Sequence, residues 1–165
     1  MRFEEWYERC RPRVLAAMVV AVGDVDRAAD ATDEAMTRAL QRWESVATMQ
    51  SPLGWTMRVA LNVAKRRGRR EQIERRLLGR SVPPHDVPAA AGEAWMTVAE
   101  LPARQREVLV LHYMLDMKQD EIAETLGVSR SAVSSALTDA RRRLASEFSE
   151  PTVRPTPTRL EDRHA

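Results

Sequence analysis

Apolar positions recur at three- and four-residue spacing along most of the chain, and no stretch shows sustained alternation with β-branched enrichment. The pattern predicts an all-α protein. A first helix is expected from about Phe3 to Val22, stopped by Gly23, with a kink at Pro12. A second is expected over about 25–43, placing Val25, Ala28, Ala29, Thr32, Ala35, Met36, Ala39, Leu40 and Trp43 on one face. The third opens with Ser51 as N-cap and Pro52 at the first helical position, the favoured start chemistry. Its inward set is Leu53, Met57, Ala60, Leu61 and Ala64, and it continues to about Arg76. Further helices are expected at about 93–101, 104–115, 118–126 and 130–148.

Between Gly79 and Gly92 the chain changes to Pro83, Pro84, Pro88 and an alanine run, which is linker chemistry. The expected organisation is two small helical domains, 1–78 and 93–148, joined by a flexible linker at 79–92. The Pro/Thr-rich tail, 149–165, cannot bury enough apolar surface to order itself. One segment mimics a secretory signal: nine apolar residues, 14–22, follow Arg9, Arg11 and Arg13. Glu4, Glu5 and Glu8 contradict a positive leader, and nine residues fall far short of the roughly 20 that span a bilayer. A buried helix of a cytoplasmic protein, with no membrane insertion, is the expectation.

Composition narrows the chemistry. A single cysteine, Cys10, excludes a disulfide within the chain and any cysteine-cluster metal site. The six glycines form no phosphate-cradling pattern, and His85, His112 and His164 belong to no acid/base constellation. No catalytic residue, metal or cofactor is therefore expected, and the protein is not read as an enzyme. The 26 Lys+Arg against 24 Asp+Glu leave a formal charge of +2, but that sum hides local extremes. Lys65, Arg66, Arg67, Arg69, Arg70, Arg75, Arg76 and Arg80 face only Glu71 and Glu74 within 65–80. Such a block is the footprint of a polyphosphate partner, or else a solvated helix end.

The strongest local signal is QDEIAETLGVSRSAV at 119–133. A helix-turn-helix needs a small residue at the helix crossing, a turn residue tolerant of positive φ, and apolar residues locking the second helix onto the first. Ala123, Gly127 and Val133 stand at those places, with Ile122, Leu126 and Val128 between them and Ser129 suited to cap the second helix. Val133, Leu137, Ala140 and Leu144 then face inward. The outward side is Ser131, Ser135, Thr138 and Arg142, flanked by Arg130, Ser134 and Arg141, short hydroxyls and cations that suit a helix in the major groove. An ordinary helical hairpin is the plainer reading.

The first domain carries two further stripes. Asp26, Asp30, Asp33 and Thr37, with Glu34 beside them, line one side of the second helix. Acids in a first turn favour the helix dipole, which explains Asp26 and Asp30 better than Asp33 and Glu34. An exposed acidic ridge meeting a basic protein is the alternative. On the third helix Trp55, Arg58, Asn62, Lys65, Arg66 and Arg69 share a line. An aromatic, an amide and cations supply the stacking, base-edge bonding and phosphate neutralisation that single-stranded nucleic acid needs. Core packing explains Trp55 equally well, whereas Asn62 is intrinsically unfavourable in mid-helix.

These stretches resemble the small two-domain RNA polymerase sigma factors of the extracytoplasmic-function type. The resemblance runs from about Phe3 to Leu144, through AADATDEAMTRALQRW (28–43), GWTMRVALNVAKRR (54–67), LPARQREVLVL (101–111) and the helix-turn-helix. It implies a subunit that binds core RNA polymerase and promoter DNA. Asp30, Asp33, Glu34 and Arg38 would meet the clamp helices of the polymerase β′ subunit. The loop 44–50 with Trp55, Arg58, Asn62, Lys65, Arg66 and Arg69 would capture an extruded minus-ten base and its strand. Arg130, Ser131, Ser134, Ser135, Thr138, Arg141 and Arg142 would read the minus-thirty-five duplex. The linker would thread toward the polymerase active-site channel, and an anti-sigma factor is a further partner the resemblance raises. The chain departs from the family at Asp33, where Gln is common, and at Ser134, Ala136 and Asp139, where Lys or Arg is common. A stand-alone helix-turn-helix regulator is the alternative, but it would not need an acidic ridge followed by a basic, tryptophan-bearing helix.

Overall fold

The computed structural model describes residues 1–78 and 97–149. The expected linker, the start of the helix expected at 93, His85, His164 and the tail after Ser149 lie outside the described residues. Among the described residues there are helices and turns but no strand: α1 (Phe3–Val22), α2 (Val25–Gln41), α3 (Trp43–Val46), α4 (Pro52–Leu78), a helical turn at 97–100, α5 (Ala103–Tyr113), α6 (Gln119–Leu126) and α7 (Arg130–Ser149). The chain is all-α, as its periodicity predicts.

Helix ends follow local chemistry. Gly23 closes α1 with φ 72°, its N–H bonded to the Val19 carbonyl at 2.9 Å. α1 is unbroken through Pro12, which lies on its exposed side. The Asp24 carboxylate accepts from the Arg27 N–H at 2.9 Å and so starts α2. Ser51 Oγ does the same for Gly54 N–H at 3.0 Å at the head of α4.

α2 corrects the sequence reading twice. It ends at Gln41 because Arg42 leaves helical geometry (φ −122°, ψ 22°), and Trp43 instead opens α3. The Trp43 ring lies 5.0 Å from that of Trp6 and 5.4 Å from that of Phe3, clamping the corner onto the start of α1. The buried stripe is also turned: Val25 and Leu40 are exposed, while Ala31 is fully buried beside Ala28, Thr32, Ala35 and Ala39. Small residues along this face let α2 approach α1 and α4 closely, with Met36 buried among them, while Val25 and Leu40 lie at its margins. Buried Thr32 satisfies its hydroxyl by donating to the Ala28 carbonyl at 2.7 Å.

The helix-turn-helix forms as expected. Gly127 adopts φ 65° and the Val128 N–H closes back on the Ala123 carbonyl at 3.0 Å. Ser129 Oγ accepts from the Ala132 N–H at 3.2 Å. A Cβ at Gly127 would find its nearest neighbour at 3.8 Å, so only backbone strain opposes substitution. Gly127→Ala is therefore expected to cost about 1 kcal/mol, seen as a fall of several degrees in the thermal midpoint, and Gly127→Asn less. His112 sits at the core edge, its Nδ1 3.1 Å from the Met117 carbonyl.

One buried apolar cluster runs through both halves, from Met18, Ala35 and Met57 to Leu111, Ile122 and Leu137. α5 lies against α1, and α6 against α4. The pattern of each helix predicts its inner face but not this continuity.

Candidate polymerase and nucleic-acid interfaces

On α7, Val133, Leu137 and Ala140 are buried while Arg130, Ser131, Ser134, Ser135, Thr138, Arg141 and Arg142 are all exposed. The 3.6-residue period thus turns one row of hydroxyls and cations wholly outward. Of the departures on this helix, Ala136 is buried and takes no part in the outer face. Asp139 is held 3.3 Å from Arg142, so that acid meets a cation of its own helix. Sequence reasoning missed Tyr113: its hydroxyl accepts from Arg141 Nε at 2.8 Å, and the guanidinium carbon stands 5.6 Å from the ring centroid. An exposed aromatic at the end of α5 was the available signal.

On α4, Arg58, Asn62, Lys65, Arg66 and Arg69 are exposed and Trp55 is half-buried. Trp55 serves both readings at once, packing against the core and lining two clefts. One, of about 230 Å³, lies beside Met49, Gln50, Ser51 and Arg58. The other, of about 330 Å³, is shared with Arg38, Gln41, Arg42 and Val59. The expected loop 44–50 is partly helical, since α3 reaches Val46, whose fully buried side chain anchors it. Arg66 donates to the Asn62 carbonyl at 3.4 Å.

On α2, Asp26, Asp30 and Asp33 are exposed and Glu34 is half-buried. Three of these acids already meet cations of the same chain. Asp33 takes Arg11 at 2.7 Å, Glu34 takes Arg38 at 2.8 Å, and Asp30 is bonded to Arg67. The hydrogen bond from Arg11 to Asp33 holds that guanidinium's pKa above its ordinary value. Exposed pairs of this kind contribute about 0–1 kcal/mol each, so an incoming basic surface can exchange them at small cost. A groove of about 440 Å³ between α2 and α4 is lined by Glu34, Arg38, Arg66, Arg67 and Arg70.

Among the described residues no cluster of His, Cys, Asp or Glu has the makings of a metal site, and no helix is long and apolar enough to cross a membrane.

Residues 6–74 match the family model of sigma-70 region 2, and residues 92–144 match that of sigma-70 region 4. The RNA polymerase sigma-E factor of Streptomyces coelicolor is 27% identical over 159 residues, covering 90% of this chain and 86% of that protein. Its counterpart in Streptomyces avermitilis is 26% identical with the same coverage. A relative from Xanthomonas campestris pv. campestris, described as "Probable RNA polymerase sigma factor RfaY", is 28% identical over 153 residues; the alignment covers 84% of this chain but 38% of that protein. Among solved structures, the sigma factor RpoE from Bartonella quintana, crystallised with the anti-sigma factor NepR, superposes with a TM-score of 0.78 at 19% identity. The match covers 88% of this chain and 96% of that one, a likeness of fold. Two regions of one family, in order on a single chain, settle its membership: this is a sigma-70 family RNA polymerase sigma factor of the extracytoplasmic-function type, a protein of transcription initiation.

Proposed function

We propose that the three exposed faces divide the work of initiation among them. Domain 1–78 binds core polymerase through Asp30, Asp33, Glu34 and Arg38 on α2, which face the β′ clamp helices. Its α4 stripe of Trp55, Arg58, Asn62, Lys65, Arg66 and Arg69 holds the displaced minus-ten strand. Domain 93–148 reads the minus-thirty-five duplex with the outer row of α7, and the linker 79–92 threads toward the active-site channel. The protein acts in the cytoplasm by binding alone and makes or breaks no bond itself. An anti-sigma factor, such as the NepR seen with the Bartonella relative, is its natural restraint.

The observation that carries this reading is the outward row on α7, seven candidate contacts exposed on a helix whose opposite side is core. Purified chain is expected to co-elute with core polymerase and to direct run-off transcription from a library of promoter fragments. Failure to form a stable complex with core would overturn it. Asn62→Ala is expected to slow promoter opening by about tenfold while changing closed-complex affinity less than about twofold, because the amide bonds only a base already out of the stack. Permanganate footprinting of opened thymines separates the two steps, and unchanged opening would remove Asn62 from the strand contact.

A further inference from the structure

The arginines in the outer row of α7 are not alike. Arg130 stands 3.2 Å from Asp120 and Arg142 stands 3.3 Å from Asp139, so each is partly neutralised by an acid of its own chain. Among the described residues Arg141 has no carboxylate partner, and its contact is neutral: Nε donates to the Tyr113 hydroxyl at 2.8 Å, with the guanidinium carbon 5.6 Å from the ring centroid. Its positive charge therefore stays uncompensated while its direction is fixed.

Tyr113 is in turn held. It is the last residue of α5 and is 54% exposed, but His112 meets its ring edge to face with centroids 4.8 Å apart. His112 is itself fixed by the Met117 carbonyl, 3.1 Å from Nδ1; a carbonyl only accepts, so Nδ1 carries the proton. A guanidinium supported in this way has less rotamer freedom to lose on binding.

The bond pattern leaves donors facing outward. With Nε engaged, the two terminal nitrogens of Arg141 remain open among the described residues, and such a pair matches two oxygens of a phosphate. Because the Tyr113 oxygen accepts from Arg141, its own hydrogen is free to donate. Arg141 also lies about 16 Å along α7 from Arg130. The major groove is about 12 Å wide, so a helix that presents its first turns to base edges carries Arg141 to the rim of the groove, where the phosphates stand.

We propose that Tyr113 and Arg141 form a two-helix clamp for a phosphate of duplex DNA, in which Arg141 supplies the charge and Tyr113, from outside the recognition helix, sets its direction and adds a hydroxyl donor. This rests on the proposed duplex-reading role of α7. The clamp fixes how far α7 enters the groove and carries no base preference of its own.

The test is a coupled set of variants of the full chain, titrated into a fluorescein-labelled DNA duplex of mixed sequence and followed by anisotropy over a range of salt. Arg141→Ala is expected to weaken binding about tenfold at 0.1 M salt and to lower the slope of log affinity against log salt by about 0.9, the mark of one lost phosphate contact. Tyr113→Phe keeps the ring but not the hydroxyl, and should cost about fivefold with the slope unchanged. Arg141→Lys keeps the charge but not the fork, and should match it. In either Arg141 background Tyr113→Phe should cost less than about twofold further, because the hydroxyl then has no guanidinium to direct. Arg9→Ala, the same charge change on α1, should leave affinity within about twofold of the wild type. Tyr113→Phe is also expected to shift the thermal midpoint by less than about three degrees, since both partners are exposed. Wild-type binding by Tyr113→Phe, or an equal cost of that change with and without Arg141, overturns the clamp. So does an Arg141→Ala variant that binds as Arg9→Ala does. If Arg130→Ala and Arg142→Ala also leave affinity and slope unchanged, the assignment of the duplex to α7 falls with it.

Discussion

Truncating Leu137 to Ala is expected to lower folding stability by about 3 kcal/mol, and with it to remove duplex recognition at ordinary growth temperature. Leu137 is 1% exposed on the inner side of α7, in one cluster with Val108, Leu111, Ile122 and Val133. Losing it removes the transfer energy of its buried methyl groups and leaves a cavity that rigid neighbouring helices fill only in part. A chain this small has a total stability of roughly 5–15 kcal/mol, so this one change takes a large share of it. Ser135→Ala, on the exposed side of the same helix, changes stability by less than about 0.5 kcal/mol. Urea unfolding followed by far-ultraviolet circular dichroism measures both. Because the buried cluster is continuous between the halves, the wild-type chain is expected to unfold in one transition. A loss below about 1 kcal/mol for Leu137→Ala would show that α7 is held chiefly by something other than this packing.

The helices were legible wherever a local rule fixes them. Ser51 with Pro52, Gly23 and Gly127 each mark an end through chemistry within a few residues, and all three are observed there. The faces of α4 and α7 follow from the helical period, so their exposed rows are legible in the sequence alone. What the sequence conceals is set by partners far along the chain. Trp43 has the spacing of the α2 face, yet Phe3 and Trp6, some forty residues earlier, draw it into another helix. Glu107 counts as one more acid in a balanced segment, and only the fold brings Lys65 to it. The acceptors of Arg58 are backbone carbonyls, which carry no side-chain signature at all. The acids of α2 were readable as a ridge, but their arginine partners sit on α1, α4 and one turn along α2 itself.

Reversing two acids of that ridge, Asp33→Arg with Glu34→Arg, is expected to weaken core-polymerase binding by about a hundredfold. Within the chain the change breaks the pairs with Arg11 and Arg38, which are exposed or half-exposed and contribute little to folding. It also sets a new arginine one turn from Arg38 and another beside Arg11, like-charge contacts that cost a few tenths of a kcal/mol each. At an interface the balance differs, because each reversal replaces an attraction to a basic partner with a repulsion, and water is partly excluded around both. Like-charge juxtaposition there costs several kcal/mol, more than the fold loses. The two effects separate in a titration of labelled protein with core polymerase beside a titration with duplex DNA. Core affinity should fall steeply and recover in part with added salt, as screening weakens the repulsion. Duplex affinity should hold or rise slightly, since the chain has become more basic. An equal fall in both would mean that the variant has lost its fold, and no fall in core affinity would place the polymerase contact on another face.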